Sequence, residues 1–374
     1  MQRIPVLAPD NTPLMPTSPS RARRWLRDGK AVVVHNDLGI FCIQLIAEPS
    51  GRNIQDIVIG LDPGKLFSGV AAQSARATLF MAHLVLPFKS VTEKMSGRRL
   101  LRRARRGRRI NRKIPFNKRT HKQKRFDNRR KNRDAASRLP PSIRANKQLE
   151  LRVVKELLTI FPISQIRYEY IKARTENGKG KGFSPAMVGQ KTMLEWLGQL
   201  RPTTTQEGWQ TSILRQQLGL AKDKSDKSAQ KPETHAHDGI ALAASHFMTF
   251  LAFHTANTRG HHWVGQVQLT PAPFRVISRP DLFRRQLYFE NPVANTSNHR
   301  KRKGGTVTPF GFRSGDLVKA EKAGRVYTGW IGGYTQTKKT KNVSVYDHNW
   351  QRIAQFSLSK VQLLQRSTRL CVAR

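Results

Sequence analysis

Apolar and polar positions change period along this chain, and each change marks an element. Residues 31–47, AVVVHNDLGIFCIQLIA, have strand character behind the basic stretch SRARRWLRDGK. DIVIGLDPG, from Asp56, is an apolar run ending on an acid and a glycine turn, and SGVAAQS and ATLFMAHLVLP follow as two more short strands. Three such strands with tight connections predict an antiparallel meander. ANKQLELRVVKELLTIFP then sets Leu149, Val153, Leu157 and Leu158 at helical spacing, a helix that should pack on that sheet. ISQIRYEYI reads as a fourth strand and carries Glu169.

From Lys172 to Lys231 the chain is polar, with short helical pieces around MLEWLGQL and SILRQQLGL, and mobile loops are expected there. HAHDGIALAASHFMTFLAF predicts a helix from about Ala236 whose first turn carries His235, His237 and Asp238. Its apolar run from Ile240 reads as a buried helix, broken by His246 and too short to span a bilayer. After the basic HRKRKGG, GFRSGDLVKAEKAGRVYTGWIGGY and NVSVYDHNWQRIAQFSLSKVQLLQR have the turn spacing of a small β-barrel or curled sheet.

Charge redirects this picture toward a polyanion. The chain has 68 Lys and Arg against 24 Asp and Glu, a formal +44 that disfavours a compact state without counter-charge. Between Gly97 and Arg133 stand 19 Lys or Arg and one acid, Asp127. Drawn as a helix, Arg102, Arg103, Arg105, Arg106, Arg108, Arg109, Arg112 and Lys113 leave no apolar stripe, so the segment seeks phosphate or is disordered. A membrane-surface helix would need the apolar face this run lacks. The 374 residues, 38% hydrophobic, leave room for two or three domains and at least one sizeable core. Cys42 and Cys371, with no CxxC pair, exclude a disulfide framework and a thiolate zinc site and suggest a reducing compartment. The N-terminal MQRIPVLAPDNTPLMP has no continuous apolar stretch of the kind a secretory signal carries.

Acids are scarce, so an acid at the end of an apolar strand invites a functional reading. Asp62 ends the first strand of the meander, Glu169 sits in the fourth, and Asp238 begins the late helix. If those strands are neighbours and the helix caps their ends, the three carboxylates converge. Such a cluster would be protonated or filled by divalent cations, and two Mg²⁺ ions about 4 Å apart would support phosphodiester hydrolysis. His235, three residues before Asp238, shares its helical face and could orient water, ligate metal or protonate a leaving group. Taken singly, each acid has a plainer reading: turn chemistry for Asp62, strand surface for Glu169, helix-dipole pairing for Asp238.

IGLDPG, the Arg-rich segment, RYEY and HAHD, in this order and with PLMP at residues 13–16, resemble the IscB family of transposon-encoded RNA-guided nucleases. WQTSILRQQLGLAKDK, RRQLY and GFRSGDLVKA extend the likeness over almost the whole chain. Residues 170–234 hold no His-Asn-His pattern and are too few for an HNH nuclease, so the chain looks like IsrB, the HNH-less branch. The absence of a CxxC zinc ribbon separates it from the TnpB group.

The resemblance implies an α/β fold: an RNase H-like (RuvC) domain split by an Arg-rich bridge helix, plus a C-terminal small β-barrel-like domain. It implies a PLMP segment at 1–52, RuvC parts at 53–92 and 139–175, and a bridge helix with basic extension at 93–138. A lid with the third part follows at 176–255, then a guide-RNA-contacting linker at 256–310 and a β domain at 311–374. The expected activity is Mg²⁺-dependent nicking of the non-target DNA strand, with Mn²⁺ as a substitute. Expected partners are a long structured guide RNA and duplex DNA beside a short flanking motif, in a monomeric ribonucleoprotein of the prokaryotic cytoplasm and nucleoid. Asp62, Glu169 and Asp238 match the metal-binding carboxylates and His235 the histidine of the third motif; Gly239 stands where Ala or Ser is expected. Arg98, Arg99, Arg102, Arg103, Arg105, Arg106, Arg108, Arg109, Arg112 and Lys113 match the RNA-contacting helix, and Arg313, Lys319, Lys322 and Arg325 are candidates for contact with the flanking DNA. Alternatives are a guide-RNA-dependent DNA binder with a degenerate nuclease, a structure-selective junction nuclease, and a structural RNA-binding protein, which leaves the three acids unexplained.

Overall fold

The computed structural model describes residues 2–108, 113–118, 139–172, 184–221, 232–255, 259–280, 287–290, 301–303, 305–337 and 340–373. Two compact units emerge, residues 1–278 with 372–374, and residues 279–371. At the start of the first unit, β1 (Ile4–Leu7), β2 (Pro13–Thr17), β3 (Ala31–Val34) and β4 (Cys42–Leu45) pair in the order β2-β1-β4-β3. Helix α1 (Pro19–Arg27) is mostly charged, yet Ala22, Trp25 and Leu26 fall on one stripe and join the core of Ile4, Val6, Leu14 and Ile43. PLMP is thus the start of strand β2, with Leu14 buried.

The meander forms as expected: β5 (Ile57–Asp62), β6 (Phe67–Ser74) and β7 (Ala77–Val85) pair antiparallel. The chain leaves the sheet through α2 (Phe88–Arg108), returns through α3 (Pro141–Ile160), and enters β8 (Gln165–Tyr170), which pairs parallel to β5. Helix α4 (Gln190–Gly198) leads to β9 (Thr203–Glu207), parallel to β8, and then come α5 (Gly208–Gln217) and α6 (Pro232–Ala244). The order β7-β6-β5-β8-β9, with β6 antiparallel to its neighbours, is that of an RNase H-like sheet. Strand β9 has no apolar alternation, because TTTQE sits at the sheet edge with two of its five residues exposed.

The helix expected from Ala236 through the apolar run at Ile240 is corrected at both ends. It starts at Pro232, a residue whose fixed φ suits a first helical turn, and it stops at Ala244. Beyond a short 3-10 turn, β10 (Thr249–His254) pairs antiparallel with β11 (Arg259–Val264), where Phe250 stacks on His261 and packs on Trp263. Aromatic cross-strand pairing outweighs helix propensity in this half of the run. Strand β12 (Phe274–Ser278), within the stretch expected to be a linker, extends the large sheet parallel to β7.

The second unit starts at Arg279, upstream of the expected boundary at 311. It comprises β13 (Tyr288–Glu290), β14 (Lys301–Lys303), β15 (Leu317–Lys322), β16 (Arg325–Gln336), β17 (Lys341–Tyr346), β18 (Arg352–Ser357) and β19 (Val361–Gln365). The order is β14-β13-β16-β15-β19, with β17 also on β16 and β18 on β17. The twelve-residue β16 gives its first half to β15 and its second to β17, with an irregularity between Ile331 and Gly333. That kink curls the sheet around Val318, Ile331, Val343, Val345 and Phe356. Finally β20 (Cys371–Ala373) joins the first unit's sheet beside β12.

Candidate active site

Every residue of β5 before Asp62 is buried, as a central strand covered on both faces requires. Alternation sends Ile59 and Leu61 to one face and Gly60 and Asp62 to the other. Helix α6 lies on the second face. A Cβ at Gly60 would stand 2.0 Å from the Gly239 carbonyl oxygen, and one at Gly69 would stand 1.7 Å from the His235 carbonyl oxygen. Only glycine fits at either strand position, because the obstruction is helix backbone. Gly239 completes the seat: a Cβ there would meet the Ala71 nitrogen at 3.0 Å. The small residue after Asp238 is therefore a packing requirement between helix and sheet.

Register sets the candidate residues in a row on this face. His83 lies opposite Gly69, and Gly69 opposite Asp62. Glu169 follows Tyr168, whose partner is Leu61, so it is next to Asp62 in the same parallel register, and its other neighbour is Gln206. Adjacent strands are about 4.8 Å apart, which makes Asp62 and Glu169 neighbours on one surface. Both are half-buried, as is His235. The Glu169 carboxylate lies at the start of α5, where a Cβ on Gly208 would be 2.7 Å from Oε1.

Asp238 sits in α6, one turn beyond His235, and is buried at 2% exposure. Its Oδ1 accepts a hydrogen bond from Arg215 Nη1 at 2.7 Å, and Arg215, on α5, is equally buried and also donates to Ser212 Oγ. Nothing in the sequence marks this arginine, which lies among ordinary helical residues. The His235 ring packs against His83 at 4.9 Å and Phe67 at 5.4 Å between centroids. Burial, then the nearby His235, pushes His83 down to about 4, so it is neutral at physiological pH. Both His83 ring nitrogens are buried without a hydrogen-bond partner among the described residues.

The turn after Asp62 is fixed from the opposite face. Ser68 Oγ accepts from Gly64 N–H at 3.1 Å and donates to Glu150 Oε1 at 2.6 Å. Lys147 Nζ lies 3.0 Å from Glu150 Oε2 and donates to the Tyr168 hydroxyl at 3.0 Å. These side chains are buried, and burial followed by the Glu150 charge holds the Tyr168 phenol well above its ordinary value. Asn146 Nδ2 adds a bond to the Lys65 carbonyl. Helix α3 thereby anchors the loop that begins at Asp62.

The row gathers Asp62 and Glu169, and α6 brings His235 and Asp238 to the same face. Among the described residues, no three His, Cys, Asp or Glu side chains form a group that could hold a metal ion. Helix α2 is exposed throughout residues 96–104, including Arg98, Arg99, Arg102, Arg103 and even Leu100 and Leu101. For Arg105, Arg106 and Arg108 only the helical backbone is described; Arg109, Arg112 and nearly all of the later basic stretch lie outside the described residues, while Lys113 is exposed. Arg313, Lys319, Lys322 and Arg325 are exposed in the second unit, the last two paired across the β15–β16 turn.

The family model described as RRXRR protein matches residues 4–184. Arg102-Arg103-Ala104-Arg105-Arg106 has the pattern of that name. Among solved structures, "T. thermophilus RuvC in complex with Holliday junction substrate" is similar at 14% identity and TM-score 0.25, covering 51% of this chain and 92% of that one. "Thermus thermophilus RuvC structure" is similar at 13% identity and TM-score 0.23, with coverage of 51% and 92%. At such scores the strand order, not the superposition, carries the fold. No curated protein matches the chain. No helix among the described residues is long and apolar enough to cross a membrane.

Proposed function

We propose that this protein is an RNA-guided DNA endonuclease of the IsrB kind, which nicks the non-target strand at Asp62, Glu169, His235 and Asp238. The observation that carries the reading is the Asp62–Glu169 pair on adjacent parallel strands, with α6 and its His235 and Asp238 packed over the same face. The exposed Arg helix inserted between β7 and α3 supports a nucleic-acid partner. In this reading α2 is the bridge helix along guide RNA, and the second unit contacts the flanking DNA through exposed basic side chains such as Arg313, Lys319, Lys322 and Arg325.

The donor set suits a hard divalent cation in kind, since Asp62 and Glu169 offer carboxylate oxygens side by side; Asp238 has one oxygen engaged by Arg215. Asp62 and Glu169 would hold Mg²⁺ or Mn²⁺, with Asp238 completing the set once drawn toward the ion, and the bound ion would supply Lewis-acid activation of water and stabilise the leaving oxygen. Phe67 and His83 hold the His235 imidazole against the sheet, where it carries a proton to or from the reacting phosphodiester. Arg215 fixes the Asp238 carboxylate, and the α3 network fixes the turn that follows Asp62.

The test is nicking of guide-matched duplex DNA by the ribonucleoprotein, with its co-purifying RNA sequenced. Asp62→Asn and Glu169→Gln should each reduce Mg²⁺-dependent nicking at least a hundredfold while RNA and DNA binding persist. Wild-type rates in either variant remove that residue from the site, and cleavage of both strands sinks the single-nuclease reading.

A further inference from the structure

The second unit contains a cavity of about 360 Å³ bordered by Trp330, His348, Trp350, Arg366, Arg369 and Ser314. Its size lies near the lower end of the roughly 300–1,000 Å³ span of small-molecule sites, too confined for a duplex. One wall is fixed by Asp316, whose side chain is fully buried. Asp316 accepts the Arg313 and Ser367 backbone N–H groups at 2.7 Å each and Arg366 Nη1 at 3.0 Å. Asp316, behind this wall, is thus neutralised by donors, and the guanidinium of Arg366, whose Nη1 also donates to the Gly311 carbonyl, stays about half exposed.

The backbone around the cavity is strained. Of the four non-glycine residues with positive φ among those described, two border it, Trp350 at 59° and Arg369 at 64°. Each such conformation costs on the order of 1 kcal/mol and persists only where its surroundings impose it. The Ser314 hydroxyl is buried and has no hydrogen-bond partner among the described residues. Indole and imidazole rings offer flat stacking surfaces, the two guanidinium groups suit a phosphate, and an unsatisfied hydroxyl suits a polar ring edge.

We infer that this cavity takes a single unpaired nucleotide of a bound strand, its base against the Trp and His rings and its phosphate at Arg366 and Arg369. The inference is independent of the nuclease reading, since it concerns the second unit and needs neither metal nor cleavage. The experiment uses the full chain at physiological salt and short oligonucleotides carrying one 2-aminopurine, as single-stranded DNA, single-stranded RNA, and annealed duplexes of each. Trp350→Gly removes the indole while relieving the positive φ, so the fold should be kept, as circular dichroism would verify; Trp350→Phe retains a ring.

Wild-type protein should quench the single-stranded probe, and Trp350→Gly should bind about tenfold more weakly with the quenching lost, the scale of one base–aromatic stack. Trp350→Phe should recover most of both. A response from DNA alone, RNA alone or both supports the cavity and names the strand it serves. Equal quenching of the duplex probe, or undiminished quenching by folded Trp350→Gly, overturns the inference.

Discussion

His83 lies in the candidate row and has an acid-sensitivity of its own. Its folded value near 4 is below the ordinary 6.5, so between those values the unfolded chain binds a proton that the folded chain refuses. The stabilisation from keeping it neutral is complete above about pH 6.5 and is lost as pH falls toward 4, at up to about 1.4 kcal/mol per pH unit. His83→Phe keeps a ring against His235 and should flatten the melting temperature across that window; an equally steep profile would assign the acid loss to another group. Arg215 and Asp238 pose a different problem, since each compensates a charge the other buries. Removing one partner, as in Arg215→Met, should destabilise by about 3–5 kcal/mol in urea titrations, and Arg215→Met with Asp238→Asn should lose less than the sum. Strict additivity would show that the pair is not coupled.

At the scale of elements, three glycines let α6 seat its buried apolar side chains close on the sheet. Gly69→Ala puts a methyl into the His235 carbonyl and must lift the first turn of α6. If the proposed nuclease reading holds, the expected result is a folded but weakened protein whose nicking falls about a hundredfold, as displacement of reacting groups by about 1 Å implies; unchanged nicking would mean that α6 needs no such seat. The meander, β8 and α3 were legible because burial imposes a regular period on them, and Asp62, Glu169 and His235 were legible as polar residues interrupting or ending those periods. Strand β9 was not, because its pairing comes from backbone hydrogen bonds at an edge that asks little of its side chains. The run after Ile240 misled because the four consecutive apolar residues from Phe250 to Phe253 satisfy a helix and a strand alike, and Trp263, 13 residues after Phe250, decides between them. Gly60 and Gly69, each inside an apolar strand, carried a readable signal of close backbone approach.

Over the whole molecule, charge and site are separable, and that separation can be measured. A formal +44 favours association with any polyanion, so affinity alone would say little about specificity. Composition pointed to a polyanion but gave no sign of the cavity of the second unit, because Trp330, Trp350 and Arg366 are distant in sequence and meet only in the folded sheet. The exposed Arg98, Arg99, Arg102 and Arg103 belong to the charge term. Changing all four to Gln should lower the slope of log K against log salt by about one for each phosphate no longer neutralised, up to about four, for any RNA of the same length. Quenching of a 2-aminopurine probe at saturation should remain unchanged in that variant, because stacking in the second unit does not depend on how the strand is attracted. Trp350→Gly should do the reverse, abolishing quenching while leaving the salt slope within experimental error. If the arginine variant keeps the full slope, helix α2 does not bind the phosphates; if it lowers the slope and loses the quenching with it, attraction and stacking are not separable.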